Sequence, residues 1–205
     1  MAYKFLIVLI VLLSLSMLKS VEVEDTYLAV MNAYEKIENF QADLIQTNTF
    51  KAEKMEIESK AKFYYQSDRI KISYSEPQEQ TILMNGLAVK FYDKTSNTCV
   101  EMWDKDNTIS LNPLFIIDKY WKYSDKKMTD EDTILKLSLR PLQENEFKTI
   151  LVEISKENYF ITMISYEDPD GNIVNLKFNN INTDTEIPED TWRLNLPEDV
   201  NYIKR

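Results

Sequence analysis

The chain has 205 residues, 44% hydrophobic and 12% aromatic, enough for one domain with a sizeable core and too few for two comfortable ones. Its 24 Lys and Arg face 34 Asp and Glu, a net charge of −10 that repels DNA and RNA at long range and opposes adsorption of the whole molecule to anionic headgroups. With no histidine, one cysteine (Cys99) and two glycines (Gly86 and Gly171), it lacks the commonest general base and metal ligand, any internal disulfide or cysteine-rich zinc site, and the glycine-rich loops that cradle phosphates.

The N-terminus reads "MAYKFLIVLIVLLSLSMLKS": Lys4, an apolar run from Phe5 to Leu18 softened by Ser14 and Ser16, then the acidic "VEVED". That run is shorter than the span of about 20 residues that crosses a bilayer, so residues 1–20 are predicted to be a cleaved secretory signal and 21–205 a single domain. An uncleaved membrane anchor is the rival reading. No cysteine follows the run, so the exported protein is expected to carry no lipid anchor of its own.

Over Thr26 to Phe40, apolar residues at Tyr27, Val30, Met31, Tyr34, Ile37 and Phe40 follow the three-four spacing of a helix with one buried face, and Glu22, Glu24 and Asp25 favour its N-terminus. The period then changes to two. "MEIESKAKF" and "RIKISYS" alternate apolar and polar residues, "QTILMN" resumes after Pro77, and Asn85-Gly86 predicts a type I′ hairpin leading into "LAVKFYD" and then "CVEMW". "NPLFIIDKYWKY" breaks the strand pattern: Asn112 as N-cap and Pro113 at the first helical position predict a short helix. Its successive Phe115, Ile116 and Ile117, with Tyr120 and Trp121, cannot all face one core, so part of it is expected to face a cavity or act as a lid. "TILKLSLR", "FKTILVEIS", "YFITMISYE", "NIVNLKF" and "TWRLNLP" read as further strands. The fold class is therefore α+β and mainly antiparallel: a curved sheet of about ten strands, with the opening helix and the short mid-chain helix on its concave side.

The acidic pairs invite a catalytic or cation-binding reading. Glu76 and Glu79, Asp130 to Asp132, and Asp168 with Asp170 all lie where turns or polar faces are expected, and solubilising roles suit them better. "DPDGN" resembles part of a calcium loop but lacks the later bidentate glutamate, so it reads as a turn. Cys99, in a strand pattern with no histidine to activate it, reads as a buried inert thiol. No catalytic residue, metal site or cofactor is expected, and the protein is predicted not to be an enzyme.

The stretch "RIKISYSEPQEQTILMNGLAVKFYDKTSNTCVE" resembles the signature region of the LolA family of periplasmic lipoprotein carriers: an aromatic-ended strand, a proline, an acidic or amide pair, a short apolar strand, an Asn-Gly turn and an aromatic-Asp strand end. "YEDPDGNIVNLKFNNINTDTEIPEDTWRLNLPEDVNYI" is similar to the family's C-terminal part, and "NPLFII" to its short helix, so the resemblance runs over most of residues 26–203. It implies an unclosed half-barrel lidded by helices. It also implies a monomeric periplasmic carrier of acylated lipoproteins, loaded by an ATP-driven inner-membrane transporter and unloaded to an outer-membrane acceptor lipoprotein. The anchored acceptor of the same fold is disfavoured by the missing cysteine. A carrier of another lipid, or a periplasmic sensor or binding module on this fold, remains the alternative.

Placed on that half-barrel, strand parity assigns Ile57, Phe63, Ile70, Ile72, Tyr74, Val89 and Phe91 to the concave face. Tyr27, Met31, Tyr34, Leu114, Phe115, Ile117 and Trp121 are assigned to the lid. Where the family carries an arginine that latches the lid to its helices, this chain has Gln66, with Arg69 nearby as a substitute.

Overall fold

The computed structural model describes residues 23–67, 69–103, 113–142 and 147–205, with side chains from Ile116 onward in the third segment. The predicted signal, the Asn112 cap and the side chains of Leu114 and Phe115 lie outside the described residues. Helix α1 covers 23–35 and helix α2 spans Pro113–Trp121. Twelve strands form one sheet: β1 Asn39–Phe50, β2 Met55–Gln66, β3 Arg69–Glu76, β4 Gln80–Asn85, β5 Ala88–Asp93, β6 Thr98–Trp103, β7 Ser124–Asp130, β8 Ile134–Pro141, β9 Thr149–Ser155, β10 Ile161–Glu167, β11 Ile173–Asn182 and β12 Asn201–Lys204. Their order is β12-β6-β5-β4-β3-β2-β1-β11-β10-β9-β8-β7, antiparallel throughout except where β12 adds in parallel to β6. β7 and β12 are free edges, so the sheet is unclosed among the described residues.

The long β1–β2 hairpin is the middle of the sheet, yet alternation in β1 is half hidden. Phe40, Ala42 and Leu44 point to the core, but Gln46 and Asn48 continue the same row, and a polar residue in an inward position dilutes the pattern. Phe40 belongs to this strand, opposite Tyr65, rather than to the opening helix. That helix ends at residue 35, where the backbone turns and the Ile37 N–H bonds to the Tyr34 carbonyl oxygen at 3.1 Å. β7, "SDKKMTD", is a polar edge strand; lysines on an edge oppose pairing with another chain and erase the hydrophobic signal.

The β4–β5 hairpin corrects a detail. Asn85 pairs with Ala88, so the two-residue loop is Gly86-Leu87, and of these Gly86 alone has positive φ (57°), the pattern of a type II′ turn rather than I′. "DPDGN" is a turn between β10 and β11. The Asp168 carboxylate accepts the Asn172 backbone and side-chain N–H groups, both at 2.8 Å, which hold it below its usual acidity range and occupy the oxygens a cation would need. Gly171 sits at φ 84°, a backbone conformation that side-chain-bearing residues rarely adopt.

"TWRLNLP" is not a strand. It follows a 3-10 turn, Glu189–Trp192, and runs as a strap over the outer face of the sheet, where Trp192 and Ile187 bury against Leu83 with Tyr64 and Leu194 packed alongside. Its alternation is real but seats side chains on strands beneath instead of pairing beside them. Lys71 fastens it, donating to the carbonyl oxygens of Thr191 (2.6 Å) and Arg193 (3.2 Å).

Candidate functional site

The inner face of the sheet is built by register. Ala42 lies opposite Phe63, Phe63 opposite Ile72, Ile72 opposite Ile82 and Met84 opposite Val89, so inward residues line up from strand to strand. On the other half, Leu44 faces Phe178 and Leu176 faces Ile164, continuing into β9 and β8 with Val152 and Leu137. All these residues but Ile82 join a single buried apolar cluster, and Ile82 packs against it. At its centre Phe63 meets Phe178 edge to face at 5.3 Å and Phe40 at 5.9 Å, with Phe40 and Phe178 themselves at 6.2 Å.

The sheet curls around this cluster. Tyr74 on β3 and Tyr166 on β10 are separated by β2, β1 and β11, yet Tyr166 belongs to the same apolar cluster against which Tyr74 packs.

Both helices lie on that face. Val30 of α1 is buried; Tyr34 stacks near Phe40, leans on Phe160 at 5.6 Å, and its hydroxyl accepts the Ile161 backbone N–H at 3.0 Å. In α2, Ile116, Ile117, Tyr120 and Trp121 are all buried. Tyr120 packs on Phe147 at 5.7 Å and Trp121 stacks on Tyr27 at 4.3 Å, so aromatic partners flank the helix on more than one side. A three-part clasp joins the helices. Besides the stack, the Tyr27 hydroxyl donates to Asp118 Oδ1 at 2.7 Å and the Trp121 indole N–H donates to the Glu24 carboxylate at 3.2 Å.

Of the residues assigned from sequence to the concave face, Phe63, Ile70, Ile72 and Val89 are buried members of the cluster and Tyr74 packs against it. Ile57, opposite Asn48, and Phe91, opposite Ile82, are half-buried and stand outside it. Of the lid residues, Ile117 and Trp121 are in the cluster, Tyr27 and Tyr34 pack on it, and Met31 is half-buried. Sequence reasoning missed Leu44, Phe178, Tyr166 and Phe160, and Phe40 as a core strand residue. The inward triplet Val174, Leu176 and Phe178 of "NIVNLKF" held the missing signal for Phe178. A polar step interrupts the apolar face where the Tyr74 hydroxyl donates to Gln46 Oε1 at 2.6 Å and the Gln46 amide donates to Asn48 at 3.1 Å.

Gln66 and Arg69 form hydrogen bonds away from both helices. Gln66 donates to Asn39 Oδ1 at 2.7 Å and accepts from Arg69, while Arg69 reaches Glu189 at 2.8 and 3.0 Å and lies 4.6 Å over the Trp192 ring. In this conformation they tie the end of β2 to the start of β1 and to the outer strap. Cys99 is fully buried, which pushes its thiol up and keeps it protonated, and among the described residues no grouping of His, Cys, Asp and Glu could hold a metal ion.

The interior tyrosines make stability fall at alkaline pH. Burial raises Tyr34 and Tyr166, and carries Tyr74 to about 12; desolvation, with the hydrogen bond to Asp118 and its charge, carries Tyr27 to about 12. A phenol raised above its unfolded value of 10.0 stabilises the fold fully below pH 10 and loses that contribution as pH climbs through the folded value. Thermal melts are expected to be flat from pH 8 to about 10 and to drop steeply toward pH 12, with a smaller drop in Tyr74→Phe. An equal drop in that variant would remove Tyr74 from the account.

The model of the family described as "Outer membrane lipoprotein carrier protein LolA" matches residues 35–195. Among solved structures, the chain is similar to an uncharacterized conserved protein from Thermus thermophilus, with TM-score 0.62 and 14% identity over 90% of this chain and 99% of that one. It is also similar to MucB, with TM-score 0.58 and 10% identity over 89% of this chain and 66% of that one. A MucA/MucB complex from Pseudomonas aeruginosa gives TM-score 0.54 and 12% identity over 83% of this chain and 61% of that one. No curated protein matches the sequence. At these identities the structural likenesses establish a shared fold. The family match covers most of the chain, through the central hairpin, α2 and the inner face of both halves of the sheet, and the chain belongs to the LolA family.

Proposed function

We propose that the protein is a soluble periplasmic carrier that shields the acyl chains of lipoproteins between the sheet and its two helices and moves them from the inner to the outer membrane. On this reading residues 1–20 are the export signal and 21–205 the working domain. An ATP-driven inner-membrane transporter loads it and an outer-membrane lipoprotein receives its cargo. It works as a monomer and without cofactors, and its task is binding rather than catalysis.

The observation that carries the proposal is the single apolar cluster running through both halves of the curled sheet beneath α1 and α2. An acyl chain costs on the order of 0.8 kcal/mol per exposed methylene, so its passage through water needs such a dry interior. With no cargo, the apolar side chains cover one another and the helices rest on them. Loading exchanges side-chain contacts for hydrocarbon contacts, which keeps affinity reversible because the empty state is itself well packed. The clasp is the natural place to open, since the Tyr27–Asp118 bond is solvent-exposed and the neighbouring Leu28 lies at the surface of α1.

A second reading comes from MucB, a protein of similar fold that forms a complex with MucA. The protein then serves as a binding module for a protein partner. Titration of the purified domain with a fluorescent fatty-acid analogue separates the two. Saturable binding of the probe, displaced by unlabelled acyl chains, is expected of the carrier; a folded domain that ignores the probe would favour the partner-binding module.

A further inference from the structure

A pocket of about 550 Å³ opens where α1, α2 and the edge strand β7 meet. Its wall is the Tyr27–Trp121 stack, and because Trp121 is a buried member of the apolar cluster while Tyr27 packs on it, one aromatic layer separates the pocket from the interior.

Lys119, Lys122 and Lys126 line it against Glu24 and Asp118, a locally positive balance within a chain of net charge −10. The two carboxylates are already engaged by the Trp121 indole N–H and the Tyr27 hydroxyl. Lys122 and Lys126 form no ion pair among the described residues. Lys126 Nζ lies 5.1 Å from the centre of the Trp121 ring and reaches the Ser124 carbonyl oxygen at 3.5 Å. At the lip, Tyr123 is 64% exposed.

This combination selects a ligand class. The ammonium groups of Lys122 and Lys126, beside an aromatic wall, call for an anionic oxygen group, whereas a cationic head would meet the lysines. A free inorganic anion leaves the aromatic wall unused. At physiological salt, charges beyond roughly 8 Å are screened, so the local lysines outweigh the acidic remainder of the surface. We propose that this rim pocket holds the anionic head of an acylated amphiphile whose chain passes behind the Tyr27–Trp121 stack into the interior. The proposal rests on the acyl-carrier reading and adds to it a preference for cargo with a negative group near the chain.

The test compares 1-myristoyl lysophosphatidylglycerol with neutral 1-myristoyl glycerol, both below their aggregation limits, by calorimetric titration of the wild-type domain and of Lys122→Ala/Lys126→Ala. Wild type is expected to prefer the anionic lipid by about tenfold or more, with the preference shrinking as salt rises. The double variant is expected to lose the preference while binding the neutral lipid as wild type does. Lys122→Gln/Lys126→Gln substitutes if the alanine pair fails to fold. Equal affinity of wild type for the two lipids, or a preference kept by the double variant, would overturn the pocket assignment and leave the carrier reading standing. So would inorganic phosphate binding as tightly as the lysolipid. Binding of neither lipid would overturn the carrier reading and this proposal with it.

Discussion

Phe63→Ala is expected to lower the unfolding free energy by about 3–5 kcal/mol, the usual cost of truncating a buried phenylalanine. The upper half of that range is expected because Phe63 is 4% exposed and touches Phe40 and Phe178, the aromatic residues of the two strands beyond β2 toward the far half of the sheet. Removing the ring leaves a void that three neighbouring strands, paired along most of their length, cannot close by moving. Urea titration followed by circular dichroism reads the loss as a lower midpoint at unchanged slope. A midpoint like that of wild type would mean that the aromatic centre is not what joins the two halves.

Val89→Trp is expected to abolish most probe binding while leaving the domain folded. Val89 is 2% exposed and lies between Met84 and Met102 on the inner face, so an indole there projects into the space a hydrocarbon chain must enter. The flanking methionines are adaptable, which limits the overpacking cost to about 1–3 kcal/mol. Excluding four methylenes from the interior costs roughly 3 kcal/mol of cargo affinity, more than a hundredfold. The same fluorescent titration measures it. A Val89→Trp domain that melts cooperatively and binds the probe as wild type does would place the chain elsewhere.

How much of this was legible in the sequence depended on which face a residue served. Strands with one dry and one wet side announced themselves, as "RIKISYS" did for Ile70 and Ile72. β1 did not, since the Gln46 and Asn48 that interrupt its inward row are polar by composition and inward only by register. β7 was silent because an edge strand rich in lysine avoids the pattern that betrays a strand. "TWRLNLP" misled for the opposite reason: its alternation belongs to a strap lying across strands, and a period of two cannot tell lying across from lying beside. Periodicity assigned Tyr27 and Trp121 to a covering role, but the Glu24 and Asp118 contacts that clasp them join residues more than ninety positions apart, a pairing no local pattern encodes. The same holds for Arg69, whose partner Glu189 lies 120 residues away on the outer face.

The central claim is tested most directly by release. Spheroplasts whose lipoproteins carry a labelled acyl chain are incubated with the purified 21–205 domain, and label is measured in the supernatant. The account predicts ATP-dependent release of label as a soluble one-to-one complex with the domain, absent with Val89→Trp. Label that stays with the membrane, with the domain folded and the native transporter present, would contradict it.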